Sequence, residues 1–184
     1  GVESNGMLCS ARELGLSDEH SGLLQLADDA PVGMDIRQYL ELDDVYLTLK
    51  MTPNRGDCLS MIGIARDLAA VTGCELRIPA IIAVASTSSQ SRPVSISASK
   101  ACGQYLGRKI TNINANAATP EWMKRRLERA GFRSISPLVD ITNYLTLERG
   151  RPMHAFDDDK LSGDIGVRFA TPGEKITLLN DQSV

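Results

Sequence analysis

Groups in this 184-residue chain whose chemistry could reach beyond packing include its two histidines, its four cysteines and the aspartates at 43–44 and 157–159. His20 lies in the acidic, turn-rich Ser17-Asp-Glu-His20 and reads as a solvated surface imidazole. His154 stands between Pro152 and Phe156, where the flanks read as buried. Composition alone places a hydrogen-bonded structural histidine there ahead of a functional one. Asp157, Asp158 and Asp159 lack the alternating, glycine-turned spacing of a calcium loop and read as a helix cap plus solvated charge, as do Asp43 and Asp44. Cys9, Cys58, Cys74 and Cys102 show no CxxC or other ligand spacing, so they read as structural thiols of a reducing compartment, with no metal.

No phosphate-cradling GxxxxGK[ST], no GxGxxG after a strand, no HExxH and no GxSxG is present, which removes most support for several large enzyme classes. A net charge of −3 argues against binding nucleic acid through overall electrostatics. Any such contact must be local. The one dense basic cluster is Lys124, Arg125, Arg126 and Arg129, which is either a solvated helix face or a phosphate contact. No apolar run approaches the roughly 20 residues of a membrane span, and the chain reads as soluble.

These groups need elements to hold them. Thr119-Pro120-Glu121 sets a capping hydroxyl, a first-turn proline and an acid in the order a helix start prefers, and Gly131 follows the last turn. Ser136-Pro137 repeats the signal for a second helix to about Arg149, ended by Gly150, with Leu138, Ile141 and Leu145 expected in the core. Pro152 forbids its continuation, so Arg151 to Asp157 is a loop leaving a helix, a common place for binding residues.

Upstream, Asp57 is expected to cap a helix from about Cys58 to Val71, ended near Gly73. Val45–Met51, Val94–Ala98, Gln104–Ile113, Ile165–Phe169 and Lys175–Leu179 read as strands, and Thr171-Pro-Gly-Glu174 as a turn. The partner of the last strand is expected beyond Val184, leaving an edge that suggests self-association. Before residue 45 the chain reads as turns and short strands, with a helix near Asp35–Leu40. The polar stretch 85–93 reads as a linker. The order of elements points to an α+β fold. Both ends read as cuts within a longer protein.

Three blocks resemble one family: Gly6-Met-Leu-Cys-Ser10 with Glu13-Leu-Gly15; Thr52-Pro-Asn-Arg-Gly-Asp-Cys58 with Gly63-Ile-Ala-Arg-Asp67; and Val139-Asp-Ile-Thr-Asn-Tyr-Leu through Arg151-Pro-Met-His-Ala-Phe-Asp157, followed by Val167-Arg168 and Gly173-Glu174. In this order they are similar to the beta subunit of bacterial phenylalanyl-tRNA synthetase. The resemblance implies an α2β2 enzyme that uses ATP and Mg2+ to attach phenylalanine to its tRNA in the cytoplasm, with the adenylate-forming site in the alpha subunit. It implies no cofactor in this segment.

By the same resemblance, residues 1–45 end an OB-like tRNA-binding insertion and lead into a connector, and 46–84 are the second half of a small discontinuous domain. After the linker 85–93, residues 94–184 begin a B3/B4-like domain that hydrolyses tyrosine wrongly joined to the phenylalanine tRNA. A pocket shaped for phenylalanine cannot strongly reject a ligand that adds one hydroxyl, which is why a second, hydrolytic site is needed. The family's editing pocket maps onto Thr142, Asn143, Pro152 and His154. Thr142 and Asn143 are expected to hydrogen-bond the ester-linked substrate or terminal ribose, Pro152 to shape the wall, and His154 to hold the attacking water or the terminal adenosine. Lys124, Arg125 and Arg129 are expected to meet tRNA phosphate. Arg151 departs from the pattern, where glutamine is usual. The rival reading is a non-catalytic assembly and tRNA-docking module in which His154 is structural.

Overall fold

The computed structural model describes residues 1–18, 20–178 and 180–184. It divides into two compact units, Gly1–Thr48 and Leu49–Val184.

The first unit is built of turns and one short helix, α1 (Ile36–Tyr39), whose N-cap Asp35 accepts from the Arg37 N–H. Its described residues contain no β-strand, contrary to the short strands expected there. Its best-defined feature is a reciprocal box. The Ser10 N–H and hydroxyl donate to Glu13 Oε2 at 2.8 and 2.9 Å, and the Glu13 N–H donates back to Ser10 Oγ at 3.3 Å. This is the pairing that opens a helix, here closing a turn that stops at Gly15, φ +68°.

The second unit holds α2 (Met61–Thr72), β1 (Val94–Ile96), α3 (Glu121–Arg129), α4 (Pro137–Arg149) and β2 (Ile165–Val167). β1 and β2 pair in parallel, Val94 with Ile165 and Ile96 with Val167. Helices α3 and α4 lie in the crossover between them, and the result is a mixed α+β arrangement with a two-stranded sheet. α4 packs on both α2 and α3. A helix covered on two sides needs no single apolar stripe, and α4 is half-buried nearly all round. Ile141, expected inside, is 43% exposed, while the buried position of this helix is a charged one, Asp140.

Two helix starts differ from the expected caps, and a third keeps its expected cap residue, Ser136, without a side-chain bond. At α2 the cap is Ser60, whose hydroxyl accepts from the Gly63 N–H at 3.1 Å. Asp57 sits instead in a 3-10 turn, Gly56–Cys58, with its carboxylate taken up by Arg55. Gly63 is required there, because a Cβ would fall 1.9 Å from the Asp57 carbonyl oxygen. At α3 the N-cap is Pro120 without a side-chain bond, since the Thr119 hydroxyl is spent on Asp140. At α4 Ser136 makes no side-chain cap either. Asp140 gathers the donors that precede that helix.

Val45–Met51 and Gln104–Ile113 form no strand. Alternation alone does not make a ladder where no neighbouring strand offers donors and acceptors. The two short strands that do form sit inside the ranges expected for them, each cut to three residues. The Thr171–Glu174 turn forms as expected, with the Glu174 N–H on the Thr171 carbonyl at 3.0 Å. The segment after it finds a partner within the chain, where the sequence placed one only past Val184. Ile176 and Val184 exchange N–H···O bonds at 2.9 and 3.0 Å, and the Leu178 N–H donates to the Gln182 carbonyl at 2.8 Å. The free edge that suggested self-association therefore has a neighbour on one side. Leu179, the end of that predicted strand, lies outside the described residues.

Candidate functional site

The site residues read from the sequence fall on α4 and the loop after it. Thr142 and Asn143 are half-buried on α4, and Pro152 and His154 are exposed in the segment that leaves its C-terminus. The helix ends because Gly150 takes the left-handed conformation, φ +70°, and donates back to the Thr146 carbonyl, the usual role of glycine at that position. A Cβ on Gly150 would lie 3.1 Å from the Cβ and Oγ of Ser60, so the start of α2 meets the exit of α4. Ser60, which lies between the Thr52–Cys58 and Gly63–Asp67 blocks, thereby sits beside the helix end that opens into the loop carrying His154.

Hydroxyl chemistry on α4 is partly committed to the backbone. Thr142 Oγ1 donates to the Val139 carbonyl at 2.7 Å, and Thr146 Oγ1 to the Thr142 carbonyl at 2.9 Å. Thr142 retains its oxygen lone pairs as acceptors for a ligand hydroxyl or N–H. The flanks of His154 are open rather than buried: Met153 is 46% exposed and Phe156 52%. The imidazole lies 6.1 Å from the Phe156 ring, tilted by 36°.

Beyond the loop, Asp157 caps a 3-10 turn, Asp158–Lys160, as its sequence context suggested. Asp158 has a role that the sequence did not reveal. Its Oδ1 accepts from Arg92 Nε at 2.6 Å and its Oδ2 from Lys109 Nζ at 2.6 Å, and Arg92 also donates to the carbonyls of Asp158 and Gly163. These two cations hold the Asp158 carboxyl at about 2, below the usual aspartate range, chiefly through the Arg92 hydrogen bonds. Arg92 belongs to the polar stretch read as a linker, so that stretch clamps the far end of the loop.

Asp140 anchors the near end. It is fully buried and accepts from the Thr119 hydroxyl at 2.5 Å, the Ser134 hydroxyl at 2.6 Å and the Ile135 N–H at 2.9 Å. Burial pushes its carboxyl up, but the bonds from Ser134, Thr119, Ile135 and Ser136 outweigh that and leave it below its ordinary value. In the first turn of α4 it also faces the positive end of the helix dipole. A signal existed in the sequence: an aspartate four residues after a Ser-Pro helix start, between apolar neighbours.

On α3, Met123 and Leu127 form the buried face, and Lys124, Arg125 and Arg129 are half-buried while Arg126 is exposed. Arg126 lies 5.4 Å over the Trp122 ring and donates to the Tyr144 hydroxyl at 2.8 Å, and Trp122 meets Tyr144 edge-on at 5.3 Å. This joins α3 to α4 through a cation–π and aromatic contact. His20, as expected, is exposed, with its Nδ1 3.2 Å from the Asp18 carbonyl oxygen. Among the described residues no group of three or more His, Cys, Asp or Glu side chains is placed to hold a metal ion. Nor is any helix among them long and apolar enough to cross a membrane.

Residues 101–184 match the family model of the B3/4 domain, so the helices and loop of the candidate site lie within a segment of that class. Over all 184 residues the chain is 56% identical to the phenylalanine--tRNA ligase beta subunit of Aromatoleum aromaticum. It is 58% identical to that of Bordetella pertussis, and 57% identical over 185 aligned residues to that of Neisseria meningitidis. The resemblance carried by the three sequence blocks is thus borne out at full chain length. The chain spans about a quarter, 23–24%, of the length of these relatives.

Proposed function

We propose that this chain is an internal segment of a phenylalanine--tRNA ligase beta subunit and contributes part of a site that hydrolyses tyrosine mistakenly esterified to the phenylalanine tRNA. The observation that carries the reading is the match of residues 101–184 to the B3/4 domain, within a likeness to part of beta subunits that runs over all 184 residues of this chain. In this reading residues 1–45 close an OB-like insertion, 46–84 complete a small discontinuous domain, 85–93 connect, and 94–184 begin the editing domain.

The chemistry asked of the segment is modest. An aminoacyl ester is activated relative to an amide, so orienting substrate and water supplies much of what hydrolysis needs. Asn143 offers an amide donor and acceptor, and Thr142 an acceptor, towards the ester-linked amino acid or the terminal ribose. Pro152 stiffens the chain just after the helix end, and His154 positions the attacking water or the terminal adenosine, with proton abstraction as its secondary role. Lys124, Arg125 and Arg129 supply local positive charge for tRNA phosphate on a chain that is acidic overall. Adenylation with ATP and Mg2+ belongs, in this proposal, to an alpha subunit partner in an α2β2 assembly in the cytoplasm, and no step described for this segment uses them.

The exposed apolar residues favour an additional role in assembly. Ile81 and Ile82 are 79% and 86% exposed, and Leu106 and Ile110 are 81% and 65% exposed, apolar surface that burial against another protein would remove from water.

The test is deacylation of tyrosyl-tRNA(Phe) by a complete ligase carrying this segment. His154→Ala, Thr142→Ala and Asn143→Ala should each lower hydrolysis at least tenfold while phenylalanine attachment stays within twofold. Unchanged hydrolysis with unchanged tRNA affinity in all three would leave only the docking and assembly reading. Charge reversal at Arg125 and Arg129 should weaken tRNA binding and flatten its salt dependence.

A further inference from the structure

We infer that Asp140 is a positioning residue of the candidate site: it fixes the rotation and start of α4, and through them the direction in which Asn143 and Thr142 are presented. The inference rests on the reading of those two side chains as substrate contacts. It is carried by an unusual arrangement, a wholly buried carboxylate whose bonds run to neutral donors on two separate segments. Thr119 lies before α3, and Ser134 and Ile135 lie in the turn between α3 and α4. One side chain thus ties both ends of α3 to the first turn of α4.

The geometry makes the tie directional. Asp140 and Tyr144 are four apart and share a helix face, and Tyr144 meets Trp122 of α3, so that face is pinned at two levels. Asn143 follows Asp140 by three residues and flanks the pinned face. Thr142 follows by two, roughly 200° round the axis, and points away from it. With side-chain atoms on a radius of roughly 5 Å, a helix rotation of about 10° displaces them by about 1 Å. Misplacement on that scale costs on the order of a hundredfold in rate where catalysis is positioning. The donors fit the purpose: hydroxyls and a backbone N–H fix the carboxylate along several directions without a flexible long-chain cation.

The experiment uses the complete ligase and reads kcat and KM for tyrosyl-tRNA(Phe) hydrolysis, with phenylalanine attachment alongside. Asp140→Asn keeps the shape but replaces one acceptor oxygen by a donor. It should lower kcat for hydrolysis at least tenfold, change KM less than threefold, and leave attachment within twofold. In a background carrying both Thr142→Ala and Asn143→Ala the same change should cost less than twofold further, because Asp140 acts through those two contacts. Thr119→Val and Ser134→Ala each remove a single donor and should lower kcat about threefold, and they keep the inference testable if Asp140→Asn does not fold. Unchanged hydrolysis in the folded variants would overturn it, as would a loss that multiplies in full with the Thr142→Ala and Asn143→Ala pair. If Thr142→Ala, Asn143→Ala and His154→Ala themselves leave hydrolysis intact, the editing reading has failed instead.

Discussion

The two halves of the candidate site are held by different physics. On the α4 side, a buried carboxylate gathers short hydrogen bonds from two segments, and an aromatic and cation–π contact locks the next turn of the helix. On the loop side, Pro152 and His154 are exposed, and order comes from the Gly150 stop at one end and the Arg92–Asp158–Lys109 ion pairs at the other. A buried network resists water and salt, whereas partly exposed ion pairs are screened and weak. The site accordingly pairs a rigid helix that presents Thr142 and Asn143 with a softer loop that carries His154.

The contrast breaks most sharply at Asp140. Asp140→Ala leaves two hydroxyls and an N–H without their acceptor and should cost about 3 kcal/mol. Urea unfolding followed by the fluorescence of Trp122, the sole tryptophan, measures it. Gly150→Ala acts at the hinge between the two halves. It forces a side chain into φ +70° against Ser60 and should cost about 1–2 kcal/mol on the same assay.

Acid loosens both halves, because Asp140 too is held below its ordinary value, and the loop half is where cleavage reads it. The folded Asp158 carboxyl, at about 2, lies below its unfolded value of about 3.9. Its ion pairs therefore contribute fully above pH 4 or so, and the contribution is lost as pH falls from there through about 2. Proteolysis confined to residues 151–163 should accelerate in acid across that window with an acid-stable protease. Arg92→Ala should give the same acceleration at neutral pH, and added salt should mimic it. The smallest effect is expected from Tyr144→Phe, which removes only the exposed Arg126 bond and should change stability by less than about 0.5 kcal/mol. A large loss there would mean that the Arg126–Tyr144 hydrogen bond, rather than Asp140, dominates the anchoring of α4.

How far the sequence could be read follows from the range of the forces involved. α3, α4 and the loop after Gly150 were legible because proline at a helix start and glycine after its end act on their own backbone. Caps were less legible. Thr119, Ser136 and Asp57 each carry a good capping side chain, yet two of the three are diverted, one to Asp140 and one to Arg55. A short polar side chain takes whichever donor or acceptor the folded chain brings near. Strands at Val45–Met51 and Gln104–Ile113 were misread because a ladder needs a neighbour that local alternation does not supply. The last segment was misread in the opposite sense, because Ile176 and Val184 pair across a tight turn at Asp181, φ +61°.

The sequence by itself determined the kinship of the chain, the helix that carries Thr142 and Asn143, and the proline-stopped loop that carries His154, since motifs and backbone stops are written in consecutive residues. Tertiary structure decided what holds them. Asp140 meets Thr119 across 21 positions and Arg92 meets Asp158 across 66, and bonds between residues so far apart exist only once the chain has folded around them.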